Sequence, residues 1–532
     1  MHTRKSEASP KGPSRARECV SMCAIMDQFG DKVKGTFSFF DRIIMDGYIR
    51  PLVLEYARAN ALRELNVLYK DYKSYFTSVT EQIKERVEAI AGELGRPLVY
   101  LTSAKERKEE IARKYLQDNP VESGLICVLK TLEMCRSAKV LGSDSGKLVL
   151  KTQDTKCLHY YLYYLDKEYG FMFIRIQTWF PFNVRVYING REWMKSVFEE
   201  NGICYQCYDN SYTDISDVKK AQELADQVDS TKLRRHLDGM VSMVNPFVDT
   251  VVKTFGQGYY WCVSQCEYAT DLMFRDRASL EDIYPSLVDH AFHGLQCTDV
   301  FTFMGRKLTR QFQGEVVSDY KKRPVGCRVK FRCNSNTIKT YDKYSVLRIE
   351  STINNPQEFK IFGTIQHKDG SQSKAWKPMG RSISNLYRYA EISRSCNTRF
   401  LNALTDIVPT QSVVNEIEEI CGGKTVNGRR VTGFNVWSPD TVRMMETISD
   451  GKYLIKGFQN RDISTQIFPN MKDSKKRNAK TTRILRKLRD HGLIKKISRS
   501  RRYLLSRKGR RIMSALIELR NRDYPRLVAK AS

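Results

Sequence analysis

The sequence predicts an α+β protein, and three observations predict it. Residues Arg50 to Leu94 carry apolar side chains at helical spacing. Lys156 to Ile188 alternates aromatic and β-branched residues in the manner of strands. The last hundred residues return to amphipathic helices around one short basic hairpin. At 532 residues the chain exceeds one ordinary core, and 41% hydrophobic and 11% aromatic residues suffice to fill more than one.

The N-terminal segment 1–35 is basic and polar and lacks an apolar stretch, so it reads as a mobile tail rather than a secretory signal. A helical region is expected over 36–120. In it Leu62, Leu65, Leu68, Tyr69, Tyr72, Tyr75 and Phe76 share a face, and a second helix begins near Thr102 or Ser103.

A central α+β domain is expected over 121–408, with a mixed or antiparallel sheet. Asp166-Lys-Glu-Tyr-Gly170 supplies a hairpin turn and Asn189-Gly190 a second turn before a helix at Glu192–Glu200. Further strands fall at Tyr259–Phe274 and Glu315–Ile353. Helices fall near 217–228, 232–243, 280–295 and 382–407. Pro409, Gly422-Gly423 and Asn427-Gly428 mark 409–435 as a linker.

The remaining residues, 436–532, form a basic module. Ser438-Pro439-Asp440 opens one helix, a second starts near Phe458, and a third runs from Ala479 to Asp490. Two short strands, Leu493–Ile497 and Arg502–Leu505, flank the basic tip Ser498–Arg501, and a last helix covers Arg510–Leu519.

Charge is the main functional signal. The net charge is +29, and Met471–Ser532 alone holds 22 Lys/Arg against 4 Asp/Glu. So concentrated an excess calls for a polyanion, DNA first and RNA second. Arg483, Arg486, Lys487 and Arg489 project from the third helix, and Lys495, Lys496, Arg499, Arg501 and Arg502 lie on the hairpin. No run reaches the roughly 18 apolar residues of a membrane span. The 14 cysteines follow no framework, which points to a reducing cytoplasm.

In the central domain Glu267 and Asp271 stand four apart on one strand and so share a face, where a divalent cation would relieve their repulsion. Arg348 and Glu350 share a face of another strand. Tyr341, set among Arg332, Lys339 and Lys343, is a candidate nucleophile because neighbouring cations favour a phenolate. The bland alternative is a turn at Tyr341-Asp342-Lys343 and a cross-strand Arg348–Glu350 ion pair. The aromatic runs Tyr160–Tyr164 and Phe171–Ile176 are a candidate stacking surface for RNA. Cys204-Tyr-Gln-Cys207 has no matching second pair for zinc, and His290-Ala-Phe-His293 lacks the glutamate of a metallopeptidase.

Three resemblances bear on these residues. The stretch LRKLRDHGLIKKISRSRRYLLSRKGRRI, with the helices before it, resembles the winged-helix domain of MarR- and ArsR-type bacterial regulators, which implies DNA binding through the third helix and the hairpin. The pair EYATDLMF and TYDK…LRIEST resembles rolling-circle replication initiators of the Rep_trans type. That resemblance implies Mg²⁺ or Mn²⁺ held by Glu267, Asp271 and Glu350, strand nicking by Tyr341, and phosphate contacts from Lys343 and Arg348. The pattern departs from that family in having Cys333-Asn-Ser where a glycine-serine segment is usual, and it has no His-hydrophobic-His motif. CLHYY…TWFPF…VYINGREW resembles a bacterial protein family of similar length, which implies an architecture but no activity. The expected function is therefore a DNA-binding protein of a mobile-element or replication type with a nicking site. The alternatives are a non-enzymatic winged-helix regulator, which needs no cofactor, and an RNA-binding protein.

Overall fold

The structure, a computed structural model, describes residues 25, 29–142, 146–306, 308–309, 312, 315–323, 326–367, 369–405, 411–426, 428–453, 457–498 and 500–520. The segments expected as a tail, 1–24 and 26–28, and the hairpin residue Arg499 lie outside them. The chain divides into two units. One comprises Gly35–Leu280 with Arg310–Asn397, and the other Met1–Lys34, Glu281–Thr309 and Thr398–Ser532.

The first unit is built on one large sheet, and the α+β class is as expected. Its strands are β1 (Val33–Tyr48), β2 (Leu98–Tyr100), β3 (Gly124–Gly142), β4 (Leu148–Asp166), β5 (Gly170–Gln177) and β6 (Val184–Asn189). A small separate hairpin, β7 (Tyr205–Tyr208) and β8 (Ser211–Ile215), precedes β9 (Tyr260–Phe274). Next come β10 (Val316–Arg323), β11 (Gly326–Cys333), β12 (Asn336–Lys343) and β13 (Val346–Ile353), and then a second separate hairpin, β14 (Lys360–Gln366) and β15 (Gln372–Pro378). Among the described residues the order is β10-β11-β12-β13-β9-β1-β6-β5-β4-β3-β2. The β13/β9, β1/β6 and β4/β5 pairs are antiparallel, and β2 joins β3 in parallel.

The expected turn at 166–170 is present, since Asp166 faces Gly170 across β4 and β5. Asn189-Gly190 is instead the start of a helix (Gly190–Glu200), whose first amides are capped by the Asn189 side chain. Glycine is required next to that cap because a Cβ on Gly190 would lie 1.8 Å from the Phe40 carbonyl oxygen.

The expectation of a purely helical 36–120 region is corrected. Helices Glu55–Glu64, Tyr72–Glu93 and Lys108–Asp118 are present, but β1 precedes them and lies mid-sheet between β9 and β6. Phe37, Phe39, Ile43 and Met45 of β1 are fully buried, the position expected of a strand covered on both faces. The stacking surface expected for RNA is also overturned. Tyr160, Tyr161, Tyr163, Tyr164 and Phe171 are all buried, with Tyr161, Tyr163 and Phe171 in the core under helix Lys108–Asp118.

In the second unit helices Pro439–Ser449, Asn460–Ile467 and Ser474–Asp490 precede the hairpin of β18 (Ile494–Lys496) and β19 (Tyr503–Leu505), and helix Arg507–Glu518 follows. Phe458 bridges to Tyr503, which adds a third short edge to the hairpin. The third helix begins five residues before the expected Ala479, because Asp473 accepts hydrogen bonds from the amides of Lys475 and Lys476. The expected linker is folded as well. It holds helix Gln411–Cys421 and a hairpin of β16 (Lys424–Val426) and β17 (Arg429–Val431), and Ile420 and Phe434 join the core made by Met444, Phe458, Leu485, Leu488 and Ile512. Of the glycines read as linker, Gly428 is a turn residue, with φ 74° between β16 and β17.

Candidate active site in the sheet

Sheet register brings together residues far apart in the chain. Across β12, β13 and β9, Tyr341 faces Arg348 and Arg348 faces Asp271, while Lys339 faces Glu350 and Glu350 faces Ala269. On the far side of β9, Ser38 of β1 meets Thr270 at 3.0 Å, and this places Asp41 beside Glu267 and Glu350. Of these, Asp41, Glu267, Lys339, Tyr341 and Glu350 line an open polar cleft of about 480 Å³, whose walls also carry Arg42, Arg113, Asn210, Arg323, Arg328 and Lys343.

The expected metal set changes by one member. Carboxylate oxygens of Asp41, Glu267 and Glu350 lie within 4.8 Å of one another. Asp271 is excluded by geometry, because four residues along a strand separate it from Glu267 by roughly 13 Å. It is fully buried, where Arg348 Nη1 donates to it at 3.1 and 3.2 Å and the Tyr212 amide at 2.9 Å. Burial, opposed by Arg348, pushes its carboxyl up to about 6.

Arg348 is corrected too. It is 0% exposed, and its guanidinium reaches Asp41 at 2.7 Å, Asp271 at 3.1 Å and Glu350 at 3.5 Å, with a further hydrogen bond to the Asn210 carbonyl at 2.6 Å. A cation so enclosed has no face left for a phosphate; it spaces the carboxylates. Lys343 is 5% exposed at its side chain and pairs with Asp209. The cations beside the carboxylates in the cleft are Arg42, paired with Glu267, and Lys339, 2.5 Å from Glu350, with Arg113, Arg323 and Arg328 farther out on its walls.

Tyr341 sits within this group. Its hydroxyl donates to Glu350 Oε2 at 2.9 Å and accepts from Asn210 Nδ2 at 3.2 Å, and the side chains of Arg323, Lys339 and Lys343 lie 5.5–5.9 Å from its ring. The expected phenolate is not the resting state. Burial, opposed by Arg348 but reinforced by Glu350 and Asp41, raises the phenol well above its ordinary value. Burial likewise raises Asp41 and Glu267, each helped by Glu350, whereas Lys339 and Arg348 hold Glu350 below its usual value against burial. Crowded carboxylates of this kind, offering hard oxygen donors, suit a Mg²⁺- or Mn²⁺-sized ion.

Asp41 had a readable signal, since TFSFFDRIIMDGY is a β-rich run in which this acid directly follows three phenylalanines within four residues. Asn210 had none: it reaches the site from the β7–β8 turn, more than a hundred residues before Tyr341.

In the second unit the basic residues fall into two groups. Arg483, Arg486, Lys495, Lys496 and Arg501 are exposed and have no acidic partner among the described residues, and Arg489 is half-exposed with Asp490 only at 3.9 Å. Lys487 instead donates to the Gly433 carbonyl at 2.7 Å and covers the Phe434 ring, and Arg502 donates to the Gly457 carbonyl at 2.9 Å. Those two brace the module. No protein-family model, curated protein or solved structure matches the chain. Among the described residues no helix is long and apolar enough to cross a membrane.

Proposed function

We propose that the protein binds DNA through its C-terminal basic module and breaks one strand at the sheet cleft, with Tyr341 as nucleophile, as an initiator or processing enzyme of a replicating element would. The observation that carries this reading is the convergence of Tyr341 with Asp41, Glu267 and Glu350 in one open, arginine- and lysine-walled cleft. The order helix, helix, helix, hairpin, helix, with exposed cations on the third helix and the hairpin, supports a winged-helix reading of the module.

A divalent ion held by Asp41, Glu267 and Glu350 would supply a Lewis acid that draws charge from the scissile phosphate. The chain does the rest. Glu350 Oε2 takes the proton of Tyr341 Oη, Asn210 donates to the phenolate that forms, and Arg42 and Lys339 turn to the phosphate once their carboxylates are engaged. Phenolate attack at phosphorus forms the Tyr341 Oη–P bond and breaks the P–O bond to the other new end, whose leaving oxygen becomes a hydroxyl by taking the proton that Glu350 received.

The test uses end-labelled single-stranded and supercoiled DNA with Mg²⁺ or Mn²⁺. Wild type is expected to give a covalent adduct, Tyr341→Phe none, and Glu267→Gln no metal-dependent cleavage, with DNA binding kept in both variants. No adduct from wild type on any substrate leaves a non-enzymatic DNA-binding regulator. That second reading draws on the existing pairing of Arg42 with Glu267 and Lys339 with Glu350, which satisfies the cleft without an ion.

A further inference from the structure

Two turns meet beside the cleft, and each presents an exposed ring. Tyr208 ends β7 immediately before Asp209-Asn210, and Tyr344 follows Lys343 at the turn from β12 to β13. Their rings stack at 5.5 Å with 26° between planes, and they remain 40% and 50% exposed. Tyr344 holds φ 57° and Asp209 φ 55°, a left-handed conformation that a bulky aromatic seldom adopts.

The same two turns carry the contacts of the site. Asp209 pairs with Lys343, and Asn210 donates to the Tyr341 hydroxyl. The tyrosine pair is therefore one residue removed, on each chain segment, from groups that touch the nucleophile or its neighbour. The aromatic rings of β4 and Phe171 at the start of β5 are sealed in the core; among the described residues Tyr187 and Tyr341 line the cleft itself, and the Tyr208–Tyr344 pair is an exposed aromatic stack on the turns beside it.

Resting on the nicking reading above, we infer that Tyr208 and Tyr344 form a base-stacking platform for an unpaired DNA base next to the phosphate in the cleft. An aromatic pair beside a cationic groove is what single-stranded nucleic acid uses: a stacked base gains from any π-face, while backbone phosphates follow Arg323, Arg328 and Lys339. A base inside a duplex has both faces covered and cannot use the platform. The substrate class is thus a single-stranded or locally melted DNA segment.

The experiment measures binding of the full chain to a short unstructured DNA oligonucleotide in EDTA, so that no cleavage intervenes. One oligonucleotide is intact, and a series each lacks one base. Wild type is expected to bind one abasic member roughly tenfold more weakly than the intact strand. Tyr208→Leu with Tyr344→Leu is expected to bind both strands alike, at the weaker level, and the paired Phe changes to keep the difference. In wild type, 5-iodouracil at the sensitive position is expected to crosslink to Tyr208 or Tyr344.

Equal binding of all abasic members by wild type overturns the platform, as does a Leu pair that still discriminates. Crosslinks confined to 436–532 overturn it as well. The two readings fail separately: a base-dependent affinity without any adduct rejects nicking alone, and an adduct without base dependence rejects the platform alone.

Discussion

The sheet cleft and the C-terminal module both gather cations, but they place them in opposite states. In the cleft Arg348 is sealed among Asp41, Asp271 and Glu350, and Arg42 and Lys339 each face a carboxylate. In the module Arg483, Arg486, Lys495, Lys496 and Arg501 stand in water without acidic partners among the described residues. Buried charges persist only with partners, and losing one partner strands the others. Exposed cations cost the fold little and remain available to an outside anion. The first arrangement fixes geometry and the second stores binding capacity.

The largest effect should come from the buried cation. Arg348→Met is expected to lose about 3–5 kcal/mol of stability, read from urea unfolding, because three carboxylates lose their common partner. Arg486→Met should stay within about 0.5 kcal/mol. Similar losses from both would break the contrast.

A titratable group buried without a charged hydrogen-bonding partner sharpens it. His159 is 1% exposed, and burial, aided by Arg175 and opposed by Glu133, brings its imidazole down to about 4. Its folded-state value lies below the unfolded one, so the associated stability is present above pH 6.5 and is lost as pH falls toward 4. Up to about 3 kcal/mol is at stake. The stability of His159→Gln should fall less over that window than that of wild type; parallel curves would show that His159 does not titrate in the folded protein.

Within the module, neighbouring cations should separate by role. Lys487→Ala is expected to cost about 1 kcal/mol of stability through its carbonyl and ring contacts, whereas Arg486→Ala should leave stability unchanged. The smallest effect is in the salt dependence of DNA binding. If Arg486 meets a phosphate, Arg486→Ala should lower the log–log slope by about 1, and an unchanged slope would remove it from the interface.

How much of this was legible in the sequence varied with the range of the forces involved. Local patterns sufficed for β4, β5, β9 and the capped helices, since Asp166–Gly170 and Ser438-Pro439 act on their own neighbours. The same-face logic paired Arg348 with Glu350 correctly because it needs only the pleat of one strand, while Tyr341 was tied to them only through the resemblance to replication initiators. It failed for Asp271, where the face was right but the distance along the strand was too long. Asp41 carried a local signal, but its place beside Glu267 and Glu350 depends on strand order, and Asn210 depends on the reach of the β7–β8 turn; both are tertiary outcomes that no local window records. The same applies to charge state: Lys339 and Lys343 flank Tyr341 as expected, with Arg323 where Arg332 was expected, but burial, which the sequence does not display, governs its proton.

The mid-sheet position of β1 sets an order of events during synthesis. Asp41 leaves the ribosome 309 residues before Glu350, its companion in the carboxylate group. At roughly 5–20 residues per second that interval is on the order of 15–60 seconds. Early in it β1 has two unpaired edges, one until β6 is made and the other until β9 is made. The cleft can form only after β13 is made. During that wait the nascent chain's apolar strands depend on early helices such as Tyr72–Glu93, or on chaperones, for shelter from aggregation.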